Sequence, residues 1–236
     1  MATATAIIIG NEILSGKFAD ENGAWLARRC RLLGLDLVRL VFIPDIIETI
    51  AFEVRTAAEN TDHVFTTGGI GPTHDDKTME GIAMAFDVPL VRLPALENLI
   101  RNTIGDSVNE AALRMADVPE GTVLWNDSGL KFPVAACRNV VVFPGVPRFF
   151  QAKFEAIEHR FRGVRVETRQ FRTFERETRI AAELKDAQDR WPSVDIGSYP
   201  RFDTSPVSVV VTLDGRNRVD LDECERWLQE RISVQS

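Results

Sequence analysis

Cysteine is scarce in this chain: Cys30, Cys137 and Cys224 are the only three in 236 residues. They lie far apart, form no Cys-x-x-Cys pair and are odd in number. Neither a disulfide framework nor a structural zinc site is expected, and a reducing cytoplasm is the expected setting. Long apolar runs are missing as well. No segment approaches the ~20 apolar residues that span a bilayer. Residues 1–10 carry no basic region and too short an apolar run for a secretory signal. Nor is there surplus positive charge, since 28 Lys and Arg stand against 35 Asp and Glu, a net charge of −7. That argues against duplex DNA or a polybasic membrane contact as partner, because both need excess cations. A small phosphorylated ligand, held by backbone N–H groups or a metal, stays open.

What is present is a globular composition, 44% apolar and 27% charged. The length suits one large domain or two small ones and can bury a core without covalent staples. Residues 6–9 form a β-branched run ended by Gly10, which predicts a buried strand. Trp25, Leu26, Cys30 and Leu33 recur at helical spacing, with Gly34 placed as a C-cap. Residues 38–43 predict a second strand closed by Pro44. Ile46, Ile47, Ile50, Ala51, Val54, Ala57 and Ala58 trace the next helix face. Residues 64–67 predict a third strand, and Met79, Ile82, Ala83 and Phe86 a third helix. Three strand–helix units predict an α/β fold with a mostly parallel sheet and helices on both faces. Residues 94–116 read as helical, 123–125 and 139–143 as strands, and 149–161 as a closing helix.

The pattern changes after Gly163. A β-α-β-β-α order follows, at 164–174, 180–191, 194–199, 207–213 and 221–232. This predicts domains at 1–163 and 164–236, the second a small α+β unit. Seven arginines and three glutamates fall between 160 and 179. A solvated edge strand accounts for them; a phosphate or RNA contact is the weaker reading. The four Trp and 14 Phe are assigned to the core rather than to base stacking.

The segment richest in chemistry is Thr66-Thr67-Gly68-Gly69-Ile70-Gly71-Pro72-Thr73-His74-Asp75-Asp76-Lys77-Thr78. It follows a strand and opens a helix. Its glycines bring bare N–H groups near a ligand, and the helix start favours an anion, above all a phosphate. Asp75 and Asp76 would repel that phosphate unless a divalent cation lay between, such as Mg²⁺ or Mn²⁺. The plainer alternative is a turn in which Asp75 or Asp76 caps the helix. A dinucleotide fingerprint is excluded by the missing third glycine. The P-loop is excluded too: residues 10–17 hold one residue too many, and Phe18 stands in place of its Ser/Thr. Asn126-Asp127-Ser128 spells a glycosylation acceptor with no secretory signal to support its use. His63 and His74 have no Ser or Cys partner at a triad spacing.

Two further segments fall at strand ends. Gly10-Asn11-Glu12-Ile13-Leu14-Ser15-Gly16 and Asp20-Glu21-Asn22 follow the first strand. In parallel sheets ligands sit beyond the carboxyl ends of strands, so Gly10, Glu12, Ser15, Asp20 and Asn22 are candidates to touch a nucleotide or pterin. Turn and cap chemistry is their alternative. Asp45-Ile46-Ile47-Glu48 fits a capping box, which explains Asp45 on structural grounds alone.

Residues 66–78 resemble the signature of the molybdopterin-binding-like (MoaB/Mog) superfamily. With residues 10–16, 20–22 and Phe143-Pro144-Gly145-Val146-Pro147, the chain resembles the competence/damage-inducible protein A branch. Residues 131–134, 138–147 and Ile196-Gly197-Ser198-Tyr199-Pro200 are similar to the N-terminal half of eukaryotic-type bifunctional FAD synthase. The bacterial branch has Asn-Pro-x-Gly-Thr-Ala-Pro-Gly where this chain has residues 126–133, and no phosphate contact is carried over to that loop. The resemblance implies a three-layer α/β/α sandwich with a small KH-like domain appended. It implies hydrolysis of a nucleotide pyrophosphate such as FAD or ADP-ribose, with Asp45 and Asp76 as catalytic residues. It places Gly10, Glu12, Ser15, Asn22, Gly68, Gly69, Gly71, Thr73, Thr78 and Gly145 around the substrate. Asp45, Asp75 and Asp76 would hold a divalent ion, Mg, Mn or Co. A non-catalytic pterin or nucleotide binder is the alternative. Neither FAD synthesis nor nicotinamide-nucleotide deamidation is expected, and a homo-oligomer, dimer or trimer, is the expected assembly.

Overall fold

Short β-branched runs alternating with amphipathic stretches build a six-stranded sheet covered on both faces. The computed structural model describes residues 2–127, 129–203 and 206–234. The chain divides into two compact units, residues 1–163 and 164–236. Met1 of the opening run and Ser128 of the acceptor sequence lie outside the described residues.

In the first unit, β1 (Thr3–Ile9) leads through α1 (Asn11–Leu14) and α2 (Asn22–Leu33) to β2 (Asp36–Ile43). Next come α3 (Ile47–Asn60), β3 (His63–Thr67) and α4 (Thr78–Phe86). A small excursion carries β4 (Leu90–Arg92), α5 (Pro94–Ile104), α6 (Glu110–Arg114) and β5 (Asp117–Pro119). The chain returns through β6 (Val123–Trp125), β7 (Val134–Cys137), β8 (Val140–Phe143) and α7 (Pro147–Ile157). The sheet order is β2-β1-β3-β8-β7-β6. The first four strands are parallel, with Ala6 between Leu40 and Phe65, and Phe65 opposite Val141. β7 and β6 are antiparallel additions.

The strands alternate their side chains between two cores. Ile7, Ile9, Val64, Val140 and Val142 pack on Ile50 and Val54 of α3 and on Ile82 and Phe86 of α4. Ala4, Ala6, Phe65, Val141 and Phe143 face Leu26 and Cys30 of α2 and Phe150, Phe154 and Ile157 of α7. Burial on both faces is why β1 reads as an unbroken apolar run. Phe65 meets Phe143, Phe154 and Phe161 with ring centroids 5.0–6.2 Å apart, so these aromatics serve the core.

The structure departs from the expected elements in two places. The expected strand 139–143 is the second arm of a hairpin. Its partner β7 carries no sequence signal, because Val134–Cys137 is buried throughout and shows no alternation. Residues 94–116 form two helices with a 3₁₀ turn between them at Gly105–Ser107. The interruption follows Gly105, whose φ of +66° is awkward for any other residue.

The second unit runs β9 (Glu167–Thr173), α8 (Glu177–Arg190), β10 (Val194–Arg201), β11 (Ser208–Gly215) and α9 (Arg218–Gln229). The strands are antiparallel in the order β10-β11-β9. Phe171, Val211 and Leu213 pack on Ile180, Leu221 and Leu228 of the two helices. The arginine-rich β9 is an edge strand, and Arg169 spans from Glu167 to Asp222 at 3.2 and 3.1 Å.

Gly81 marks the closest approach of α3 and α4: a Cβ there would lie 2.4 Å from Ile50 Cγ2. Gly81→Ala is expected to cost about 1–3 kcal/mol by overpacking, measured by denaturant unfolding. His63 is half-buried against Phe65 and Phe161, and that burial holds its imidazole below the ordinary value of 6.5. A depressed folded-state value contributes stability above pH ~6.5 that is lost as pH falls through the folded value. The melting temperature is therefore expected to fall between pH 7 and pH 5, with a smaller drop in His63→Phe.

Candidate functional site

The order β2-β1-β3 sends the chain from one side of β1 to the other, making a switch point between β1 and β3. There the parallel strands present their carboxyl ends, the place where such sheets bind ligands. Four loops meet there: the one after Gly10, the Pro44-Asp45 turn, the glycine loop from Gly68, and Pro144-Gly145.

Gly68 lets them meet. Its φ is +100°, and a Cβ there would stand 2.1 Å from the Ile9 carbonyl oxygen. A Cβ on Gly145 would in turn lie 3.3 Å from Gly68 Cα. Asn22, only 5% exposed, ties the loops together. Its Nδ2 donates to Thr67 Oγ1 at 2.9 Å and to the Gly145 carbonyl at 2.7 Å. Both are acceptors, because the Thr67 hydroxyl itself donates to Pro144 O. The amide orientation is thereby set, and Asn22 Oδ1 is left buried without a hydrogen-bond partner. Asp20, one residue before the N-cap position Glu21 of α2, accepts from the first-turn N–H groups of Asn22 and Gly23 at 3.1 Å.

The glycine loop is braced from inside. Thr78 Oγ1 donates to Gly68 O at 2.7 Å and Thr78 N to Gly69 O at 3.0 Å. Arg114 of α6 donates to Pro72 O at 2.9 Å, a support that nothing in the sequence pattern announces. Asp76 Oδ2 accepts from Thr73 N at 2.8 Å and Thr73 Oγ1 at 2.6 Å. Neither Asp75 nor Asp76 caps α4, since its N-cap position is Lys77 and no side chain bonds there. The N–H of Gly68 is taken by Phe143 O and that of Thr73 by Asp76. Among the described residues no acceptor engages the N–H groups of Gly69, Ile70 or Gly71. That leaves the N–H groups of residues 69–71, and not all of 68–73, open to an acceptor.

Asp45 is not a helix cap either. The N-cap position of α3 is Ile46, without a side-chain bond. Instead Asp45 Oδ2 accepts from Asn11 N at 2.8 Å, joining the first loop to the second strand's end. Partial burial raises its pKa above the ordinary 3.8. The Asn11 N–H opposes that rise, while the charges of Glu12 and Asp75 add to it. Glu12 folds back over Gly10, its Oε1 2.5 Å from where a Cβ would sit. Ser15 Oγ donates to Glu12 O at 3.2 Å within the same turn. Asp75 is exposed. His74 is almost wholly exposed, 3.9 Å from Asp75.

No group of three or more His, Cys, Asp or Glu is gathered to hold a metal among the described residues. Asp45, Asp75 and Asp76 thus make no cage by themselves, because Asp76 is turned onto Thr73. Asp45 and Asp75, close enough for their charges to interact, supply two hard carboxylates. That donor set fits an ion such as Mg²⁺, which takes one or two carboxylates and completes its shell with water and substrate phosphate. No helix is long and apolar enough to cross a membrane among the described residues. Lys153 Nζ donates to the carbonyls of Phe132 and Pro133 at 2.6 and 2.7 Å. This anchors the loop that departs from the bacterial pattern.

Residues 5–162 match the model of a probable molybdopterin binding domain, and residues 165–236 that of the FAD synthase middle domain. A protein of Archaeoglobus fulgidus is 36% identical over 96% of both chains. A probable FAD synthase of Caenorhabditis elegans is 29% identical over 98% of this chain, which spans only 50% of that relative. A CinA-like protein of Frankia casuarinae is 34% identical over 65% of this chain and 38% of its own length. Among solved structures, CinA of Thermoplasma acidophilum superposes with a TM-score of 0.63 at 29% identity, covering 67% of this chain and 97% of that one. With the glycine loop, the strand order and these matches in agreement, the chain belongs to the probable molybdopterin binding domain family.

Proposed function

We propose that the first unit hydrolyses a nucleotide pyrophosphate of the FAD or ADP-ribose type, releasing AMP with the help of a divalent ion. The observation that carries this reading is one juxtaposition. Three unengaged backbone N–H groups at 69–71 belong to the loop beside Asp45, whose Oδ1 is 3.5 Å from where a Gly69 Cβ would stand and whose ionisation is opposed by burial and by Glu12 and Asp75. N–H groups attract phosphate oxygens. Crowded carboxylates favour whatever positive charge or proton relieves them. A pyrophosphate bound with its cation satisfies both.

In this mechanism the N–H groups of Gly69, Ile70 and Gly71 receive the pyrophosphate oxygens and oppose the charge that grows on them. Asp45, fixed by Asn11 N–H, orients water and accepts its proton. Asp76 holds Thr73 and so sets the curvature of the cradle. Asp45 and Asp75 would hold the ion, which when bound supplies Lewis acidity toward phosphorus. A second reading, a pterin or nucleotide binder without turnover, is favoured by one observation: no three-carboxylate cage stands ready among the described residues.

The deciding assay incubates the full chain with FAD or ADP-ribose and Mg²⁺, Mn²⁺ or Co²⁺ and measures AMP. Metal-dependent AMP release supports hydrolysis; tight binding with intact substrate supports the second reading. Asp45→Asn keeps an acceptor for Asn11 N–H. It is expected to lower kcat at least ~100-fold while leaving the melting temperature equal or slightly higher. In the wild type, kcat/KM is expected to fall as pH drops, with its inflection above the ordinary carboxylate value, because the proton must be off Asp45. Gly68→Ala forces a backbone clash at positive φ and is expected to cost about 3 kcal/mol. Asp76→Asn, which can still accept from Thr73, is expected to remain as stable as the wild type within a few tenths of a kcal/mol.

A further inference from the structure

The second unit covers one face of its sheet with α8 and α9 and leaves the other open. The motif Ile196-Gly197-Ser198-Tyr199-Pro200 lies along β10 on that sheet. Pairing places Gly197 opposite Thr212, and Thr212 opposite Gln170. In the next row Tyr199 is opposite Val210, and Val210 opposite Arg172. These residues alternate with Val194, Val209, Val211, Leu213 and Phe171 of the core, so they share the open face.

Gly197 explains how Tyr199 sits there. A Cβ on Gly197 would lie 2.8 Å from Tyr199 Oη, 2.9 Å from its Cε2 and 3.0 Å from Thr212 Oγ1. The ring is laid back along the strand over the bare backbone instead of standing up from the sheet. Tyr199 is nonetheless 57% exposed, and no ring stacks on it among the described residues. An exposed ring lying on a sheet is a platform for another planar ring. Gln170 and Arg172 are exposed two strands away, a distance of about 10 Å at ~4.8 Å per strand. Arg172 is the cation of the Tyr199 row; Arg201, one row on toward Ser208, is tied to Asp203 at 3.0 and 3.1 Å, and the charge of Arg172 also reaches that carboxylate.

We propose that this face binds a free mononucleotide, its heteroaromatic ring stacked on Tyr199 and its phosphate on Arg172, with Thr212 and Gln170 along the ring's polar edge. A nucleic-acid strand fits less well. Residues 164–236 carry 12 Arg and Lys against 14 Asp and Glu, whereas a strand needs a cationic track and several rings. The site is independent of the candidate site in the first unit and of the hydrolysis proposed there.

Tyr199 is the only tyrosine in the chain, so incorporating 3-fluorotyrosine gives a single ¹⁹F resonance that reports on this face. Titrating FMN or AMP into the full chain is expected to move that resonance saturably. The shift should persist in Asp45→Asn, whatever becomes of AMP release. Arg172→Ala should weaken FMN about tenfold, the loss of one charge-assisted contact, and leave riboflavin unchanged. A resonance unmoved by millimolar FMN and AMP would overturn the proposal, as would one moved by an oligonucleotide alone. Loss of the shift in Asp45→Asn, or equal weakening of FMN and riboflavin in Arg172→Ala, would overturn it as well.

Discussion

The candidate site depends on the distance between two backbones. Gly68 lies so close to the Ile9 carbonyl that no side chain fits between them. That contact turns the chain sharply out of β3 and seats Gly145 beside it. It also brings Thr67 and Gly145 within reach of Asn22. Thr78 then closes the loop onto its own helix. The result is a rigid ring of short bonds around three glycine-loop N–H groups that take no part in it. Rigidity matters here because preformed dipoles stabilise charge without reorganising when it develops.

Against this stands an accumulation of negative charge. Asp45 is partly desolvated and feels both Glu12 and Asp75. The Asn11 N–H and, more weakly, its own backbone N–H compensate. A fold selected for stability alone would gain by replacing one of these carboxylates with a neutral side chain. Retaining them together beside an anion cradle is the arrangement expected where a cation and a phosphate arrive as a pair. The acidic residues also differ in what they do. Asp20 and Asp76 hold their own loops in place, Asp45 joins two loops, and Asp75 is exposed.

The parallel sheet was legible because its strands are short, β-branched and separated by amphipathic helices, which leaves few topologies open. β7 was not, since four small buried residues carry no periodicity. The break in the 94–116 helix needed the backbone angle of Gly105. At the site, the glycine loop could be placed from its strand–turn–helix context. The partners of Asp45 and Asp76 could not be read. Asp45 bonds a backbone group 34 residues away, and Asp76 turns back onto Thr73 instead of forward onto the helix. Local sequence favoured a cap for Asp45 and left a cap as the alternative for Asp76. Closure of the sheet put other donors nearer, and a carboxylate takes the N–H within reach. Arg114 bracing Pro72 is likewise a product of tertiary packing alone.

The most direct test of the account is a crystal structure of the full chain with Mg²⁺ and a pyrophosphate analogue whose bridging oxygen is replaced by methylene. The account predicts phosphate oxygens on the N–H groups of Gly69, Ile70 and Gly71, with the ion between them and the Asp45 carboxylate. An analogue bound with its phosphates away from residues 69–71, or held there with no ion near Asp45, would contradict it.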